Sequence, residues 1–451
     1  MKDIKKPGFM LEALRGRRGF TAILEILIAF AVFFVGSLVM GIGEVPLLTG
    51  YMLNNEEFMT LISDMSAGRI DTLTYYQQIQ KIVADIPEWI TISILYLEIF
   101  LILVVMIYCR YIEKRRLRTM GFQKKGMVSQ YLLGVLGGTL FLSVAYLLCI
   151  VTGSIHFQGL AENIAPIYII GYLGGYMIQG MAEEIMFRGY LFVSLSRRNS
   201  VMYSAVLSAI LFSLLHGFNS GVSLLALINI FLFGFFAALL LVRYENIWIV
   251  GGFHTIWNFL QGNLYGIHVS GMSVESTVFV SENSSGINLI SGGEFGMEGG
   301  LSVTLVFAVG IVWVLNSLKK EGKLVEWNGF RPVTNEYNNY LQNPNGQYGN
   351  GYPQNPNGQY GNGYPQNPNG QYGNGYPQSP NGKEQPENTY SQETTGQVSG
   401  DNPYSRSPGK MMPAQPGKRE NMGTTPGQTP WHPENESQEP DNQFDANYFK
   451  E

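Results

Sequence analysis

Met181-Ala182-Glu183-Glu184-Ile185-Met186-Phe187-Arg188-Gly189 sets two carboxylates and a guanidinium inside a run that is otherwise apolar back to Pro166. The run is long enough to be a membrane helix, since ~30 Å of hydrocarbon takes about 20 helical residues. Each ionised group at such a depth costs roughly 2.5–3.5 kcal/mol on insertion scales unless it is paired or put to work. Arg188 lies four residues after Glu184, on the same helical face and in the order that suits an ion pair. Adjacent residues on a helix point ~100° apart, so Glu183 and Glu184 cannot both face one partner squarely. A structural cluster that neutralises Arg188 therefore accounts for one carboxylate and leaves the other unexplained. Glu98, near the middle of another apolar run, is a candidate second partner for Arg188.

The surrounding sequence is of one kind up to about residue 318. Apolar runs fall near 20–43, 89–109, 129–152, 166–192, 201–216, 223–242, 246–265 and 301–318. Most reach membrane-spanning length; the run at 201–216 is the shortest. The expected fold is an all-α polytopic membrane protein of about eight transmembrane helices. The first run lacks an A-x-A cleavage site and is longer than a signal-peptide core, so it reads as an uncleaved helix.

Basic residues alternate between the loops. Lys2, Lys5, Lys6, Arg15, Arg17 and Arg18 precede the first run, and Arg110 to Lys125 lie after the second. Arg197 and Arg198 come after the fourth, Arg243 after the sixth, and Lys319, Lys320 and Lys323 after the eighth. Loop 266–300 has no Lys or Arg, and loop 44–88 is acidic. By the positive-inside rule this places both termini in the cytoplasm of a multi-pass cell-membrane protein.

Beyond residue 330 the composition changes. Three copies of Q-N-P-N-G-Q-Y-G-N-G-Y-P run from Gln342 to Pro377, and a fourth begins at Gln378. Each copy lacks aliphatic residues and cannot build a core, so a disordered repeat-containing tail is expected, with Tyr side chains that could hold a protein partner. A net charge of −5 gives no reason to expect nucleic acid as a partner. Cys109 and Cys149 both lie in apolar runs and read as small buried hydrophobes.

The chemistry-bearing residues extend to two more runs. Of five histidines, only His216 and His254 lie in spans. His254 has Asn258 at i+4, and Phe212 stands four before His216. Counting ~1.5 Å per residue from the basic turns puts Glu184 at ~15 Å, His254 at ~12 Å and His216 at ~22 Å. The three converge on one cavity if the fifth helix tilts, and that cavity is expected nearer the cytoplasmic side. A desolvated carboxylate beside another can serve as general base. Imidazoles and Glu also form a normal ligand set for hydrolytic zinc, here Glu184, His216 and His254. Asn and His can donate to a developing oxyanion. Together these groups suit the attack of water on an amide. No H-E-x-x-H helix is present.

Glu183-Glu184-x-x-x-Arg188, Phe212-x-x-x-His216 and His254-x-x-x-Asn258 resemble the three motifs of the CPBP family, which groups type II CAAX prenyl endopeptidases with bacteriocin-processing and immunity proteins. Ser291 to Gly300 resembles a Gly-rich segment of bacterial members. The resemblance covers roughly residues 130–315. It implies an intramembrane endopeptidase in which Glu183 or Glu184 activates water, His216 positions that water or binds a metal, His254 and Asn258 line the site, and Arg188 fixes the carboxylates. Zinc is a cofactor the resemblance leaves open.

The chain is expected to divide into six parts. Residues 1–18 form a cytoplasmic basic arm, 19–128 the first two helices with their loops, and 129–318 the protease-like core. A linker at 319–341, the repeats at 342–382 and a tail at 383–451 complete the chain. The expected partners are membrane lipid and a peptide or membrane-protein substrate, with the active site opening toward the cytoplasm. The alternative reading is a non-catalytic bacteriocin-immunity or membrane scaffold protein, and a transporter stands third.

Overall fold

The computed structural model describes residues 2–14, 19–284, 286 and 288–326. The repeats at 342–382 and the tail at 383–451 lie outside the described residues. Among those described, helices dominate: α1 (Ala22–Leu53), α2 (Glu56–Ser66), α3 (Thr72–Ala84), α4 (Glu88–Ile112), α5 (Met127–Val151), α6 (Pro166–Glu184), α7 (Val201–Leu215), α8 (Leu224–Tyr244), α9 (Ile247–Phe259) and α10 (Leu301–Lys320). Six of them, α1, α4, α5, α7, α8 and α10, are long and apolar enough to cross a membrane. The other two expected spans are also helical. They are α6 and α9, the helices that carry Glu183, Glu184, His254 and Asn258.

The sequence explains where the helices begin. Ser200 and Ser223 accept from the backbone N–H groups of Tyr203 and Ala226, and Asn246 from that of Trp248. These are N-caps that satisfy donors left over in a first turn. Burial sorts the helices: 67% of the apolar window of α8 is enclosed, against 22% for α1. α8 is thus central. α1 turns Ile23, Leu27, Phe34, Leu38 and Ile42 outward, as a helix facing lipid does.

The closest packing is between α5 and α9. A Cβ on Gly134 would stand 2.0 Å from the Ile249 carbonyl oxygen, and one on Gly252 would stand 2.2 Å from that of Tyr131. Small residues on both helices let the backbones touch, the main source of helix association once lipid surrounds the bundle. Thr255 then locks α9 at both flanks, accepting from the Tyr131 hydroxyl and donating to the Tyr176 carbonyl.

The loops gather at two ends. At the basic end, β1 (Lys2–Ile4) pairs antiparallel with β4 (Leu324–Glu326). There Asp3 accepts from Met202 N–H, Glu245 from Gly8 N–H, and Arg243 pairs with Glu321. A buried ionic cluster ties this end: Arg197 bridges Glu25 and Glu113, and Arg115 bonds Glu113 and Ser194. At the opposite end β2 (Ile155–Leu160) pairs with β3 (Phe279–Asn283). Glu88 receives both the N–H and the hydroxyl of Ser276 there.

Candidate active site

Glu183 and Glu184 end α6, and the chain then continues as a π-helical stretch, Ile185–Phe192, before a last α-turn. A π-turn widens the helix and rotates the residues after it; such turns are frequent at functional sites. It also invalidates a depth count at a uniform 1.5 Å per residue. The rise count set His216 apart from Glu184 and His254, yet Glu183, His216 and His254 all line one cavity of about 290 Å³.

The two carboxylates divide their roles. Glu184 is fully buried: one oxygen lies 3.0 Å from His254 Nδ1, and the other 3.1 Å from Arg188 Nε. The Arg188 contact is an ion pair whose N–H is not aligned for a hydrogen bond. The guanidinium instead stacks 4.1 Å above Phe212 and 5.8 Å from the centre of Phe233, so the aromatic faces share its charge. Glu98 is not its partner. That side chain lies beside Gln179 and Glu183, because α4 meets the other flank of α6.

Glu183 is the less engaged carboxylate. Its side chain is 21% exposed, and its Oε2, 3.8 Å from His254 Nε2, has no hydrogen bond. His254 therefore stands between the two acids, with Nδ1 on Glu184 and Nε2 toward Glu183. A carboxylate on Nδ1 fixes the ring and favours the proton there.

His216 closes α7, its Nδ1 2.9 Å from the Phe212 carbonyl oxygen. A carbonyl can only accept, so Nδ1 carries a proton and Nε2 of the neutral ring is an acceptor. Phe212 meets His216 edge-on at 4.8 Å and the Arg188 guanidinium with its face. Asn258 donates to Gln179 Oε1 at 3.0 Å, which leaves its second amide hydrogen free. All six expected residues thus lie in one neighbourhood. Glu183, His216, His254 and Asn258 line the cavity, and Glu184 and Arg188 stand behind it.

The zinc set Glu184, His216 and His254 does not fit this arrangement. Glu184 stands behind the wall, against Arg188 and His254 Nδ1, whereas His216 and His254 Nε2 face the cavity, so Glu184 and the two imidazoles do not converge on one point. Among the described residues no three His, Cys, Asp or Glu side chains stand where one ion could be held.

Several lining residues escaped the sequence reading. Gln179 sits four residues before Glu183, a spacing that could have revealed it. Asn229 interrupts the apolar α8; its amide donates to the carbonyls of Glu298 and Gly300, and its oxygen accepts from Thr304. Asn219, Ser270 and Glu298 come from loops, and no periodicity pointed to them. These loop residues also show which end of the bundle the cavity reaches. The cavity reaches the bundle end built by 217–223 and 266–300, and none of its lining residues comes from the basic turns.

Residues 165–260 match the family model described as Rce1-like, type II CAAX prenyl endopeptidase Rce1-like. No curated protein and no solved structure matches the chain. The matched segment runs from the start of α6 through the end of α9 and contains all three motifs. The chain is therefore a multi-pass membrane protein whose residues 165–260 form an Rce1-like domain, similar to type II CAAX prenyl endopeptidases.

Proposed function

We propose that this site hydrolyses peptide bonds of a membrane-associated peptide or protein, with Glu183 as general base. The observation that carries the reading is the unpartnered Glu183 Oε2 beside His254 Nε2 in an apolar cavity. A water between Glu183 and His216 gives one proton to Glu183 while His216 Nε2 accepts its other hydrogen. The oxygen adds to the scissile carbonyl carbon. The free amide hydrogen of Asn258 stabilises the oxyanion. As the C–N bond breaks, the proton held on Glu183 passes to the leaving amine, so products are a carboxylate and an amine. Glu184 holds His254 in its tautomer and Arg188 balances Glu184.

The basic end is read as cytoplasmic, which puts Lys2 and Glu326 on that side. The cavity then faces the opposite side of the membrane. The expected substrates are peptides, leader segments or membrane-protein segments reached from that side.

The test is cleavage of a peptide library and of candidate membrane substrates by purified protein in detergent. Glu183→Gln should lower turnover by about 10²–10⁴-fold, the usual share of general-base catalysis. Full cleavage by both Glu183→Gln and His216→Ala would overturn the reading and favour a scaffold or immunity role.

A further inference from the structure

We infer that Glu298, from the Gly-rich loop outside the matched segment, makes this cavity selective for a substrate bearing a cationic nitrogen close to the cleaved bond. The inference rests on the hydrolytic reading of the same site and names its substrate chemistry.

Glu298 is 9% exposed and lines the same cavity as Glu183, His216 and His254. It is held firmly in place. The Trp257 indole N–H donates to one oxygen at 3.0 Å, and the Ser270 hydroxyl to the other at 2.5 Å. Its carbonyl accepts from Asn229, which ties the loop to the central helix. Both side-chain donors are neutral, and among the described residues no Lys or Arg stands within ion-pair distance of this carboxylate. An ionised carboxylate has about four acceptor positions, and two are used. Removing such a charge from water is costly unless an opposite charge meets it.

The charge balance of the cavity points the same way. No Lys or Arg lines it, while Glu183 and Glu298 both do. Arg188 lies behind the wall and is taken up by Glu184. Even with His254 as an imidazolium, three carboxylates meet two cations. The walls between the acids are aromatic, Phe212, Phe233, Trp257 and Phe307, and such faces also favour a cation. A Lys or Arg side chain, or the free amino terminus of a peptide, supplies the missing charge.

Binding separates this inference from the hydrolytic reading. Labelled peptides carrying Lys, or acetyl-lysine at the same position, are titrated against full-length protein with His216→Ala, which blocks turnover and keeps every carboxylate of the cavity, each with a free or an acetylated amino terminus. The cationic peptide should bind about tenfold tighter or more, as a charged hydrogen bond implies. The arm that retains the preference identifies side chain or terminus as the cation. Adding Glu298→Gln should bring the ratio close to one. Equal binding of the charged and acetylated peptides overturns the inference, and that comparison needs no further variant to fold. A preference that survives Glu298→Gln overturns it too. A charge preference lost with Glu298→Gln, in a protein whose native form cleaves nothing, would uphold the cation site and sink the hydrolytic reading.

Discussion

At the scale of single residues, the adjacent pair Glu183-Glu184 splits into a base and a holder. Glu184 spends both oxygens on Arg188 and His254, and Glu183 keeps one unbonded. Breaking a buried pair from one side leaves an uncompensated charge, at a cost of about 3–5 kcal/mol. Arg188→Met should therefore lower the unfolding midpoint in detergent markedly. Arg188→Met combined with Glu184→Gln should recover part of that loss. No recovery in the double variant would mean that Arg188 stabilises through Phe212 rather than through Glu184. Zinc is tested at the same scale. Dialysis against EDTA should leave cleavage unchanged, because general-base catalysis by Glu183 requires no ion. Activity lost to EDTA and restored by zinc would show that the histidines turn to a shared ion.

At the scale of elements, the depth of α9 sets where His254 and Asn258 stand. That depth is held by glycines facing backbone. Gly252→Val puts a Cβ about where the Tyr131 carbonyl oxygen lies, 2.2 Å away, and backbone cannot give as a side-chain tip can. Overpacking of this kind costs about 1–3 kcal/mol or more. Gly252→Val should lower thermal stability and cleavage together. Gly137→Ala, whose Cβ would meet only the Phe253 ring at 3.6 Å, should be close to neutral in both assays. Equal behaviour of the two variants would argue against backbone contact as the determinant. These glycines were visible in the sequence as residues, but not as contacts, because a helix does not reveal which helix it will touch.

At the scale of the whole molecule, the loops that line the cavity, with Asn219, Ser270 and Glu298, lie at the end opposite the basic loops. Single cysteines at Ser220 and Arg198 can be labelled in intact cells with a membrane-impermeant maleimide, the native Cys109 and Cys149 being buried. Ser220→Cys should react and Arg198→Cys should not until the membrane is opened. The reverse pattern would put the basic end outside and the cavity in the cytoplasm. The buried cluster of Glu25, Arg197, Glu113 and Arg115 joins α1, the linker after α4 and the end of the π-helical stretch. Regions outside the matched segment thus complete the fold around it.

Much of this was legible in the chain itself. Hydrocarbon thickness and the insertion cost of charge are one-dimensional constraints, so apolar runs, their alternating basic loops and the costly residues Glu183, Glu184, Arg188, His216, His254 and Asn258 stand out before any folding is considered. Which carboxylate is free, which histidine nitrogen faces the cavity, and which end of the bundle it reaches depend on helix rotation, on a π-turn and on loops folding back. Those are contacts between residues far apart in sequence. Glu298 illustrates the limit: 41 positions from Trp257 and 28 from Ser270, it becomes a cavity wall only when the Gly-rich loop closes over α9.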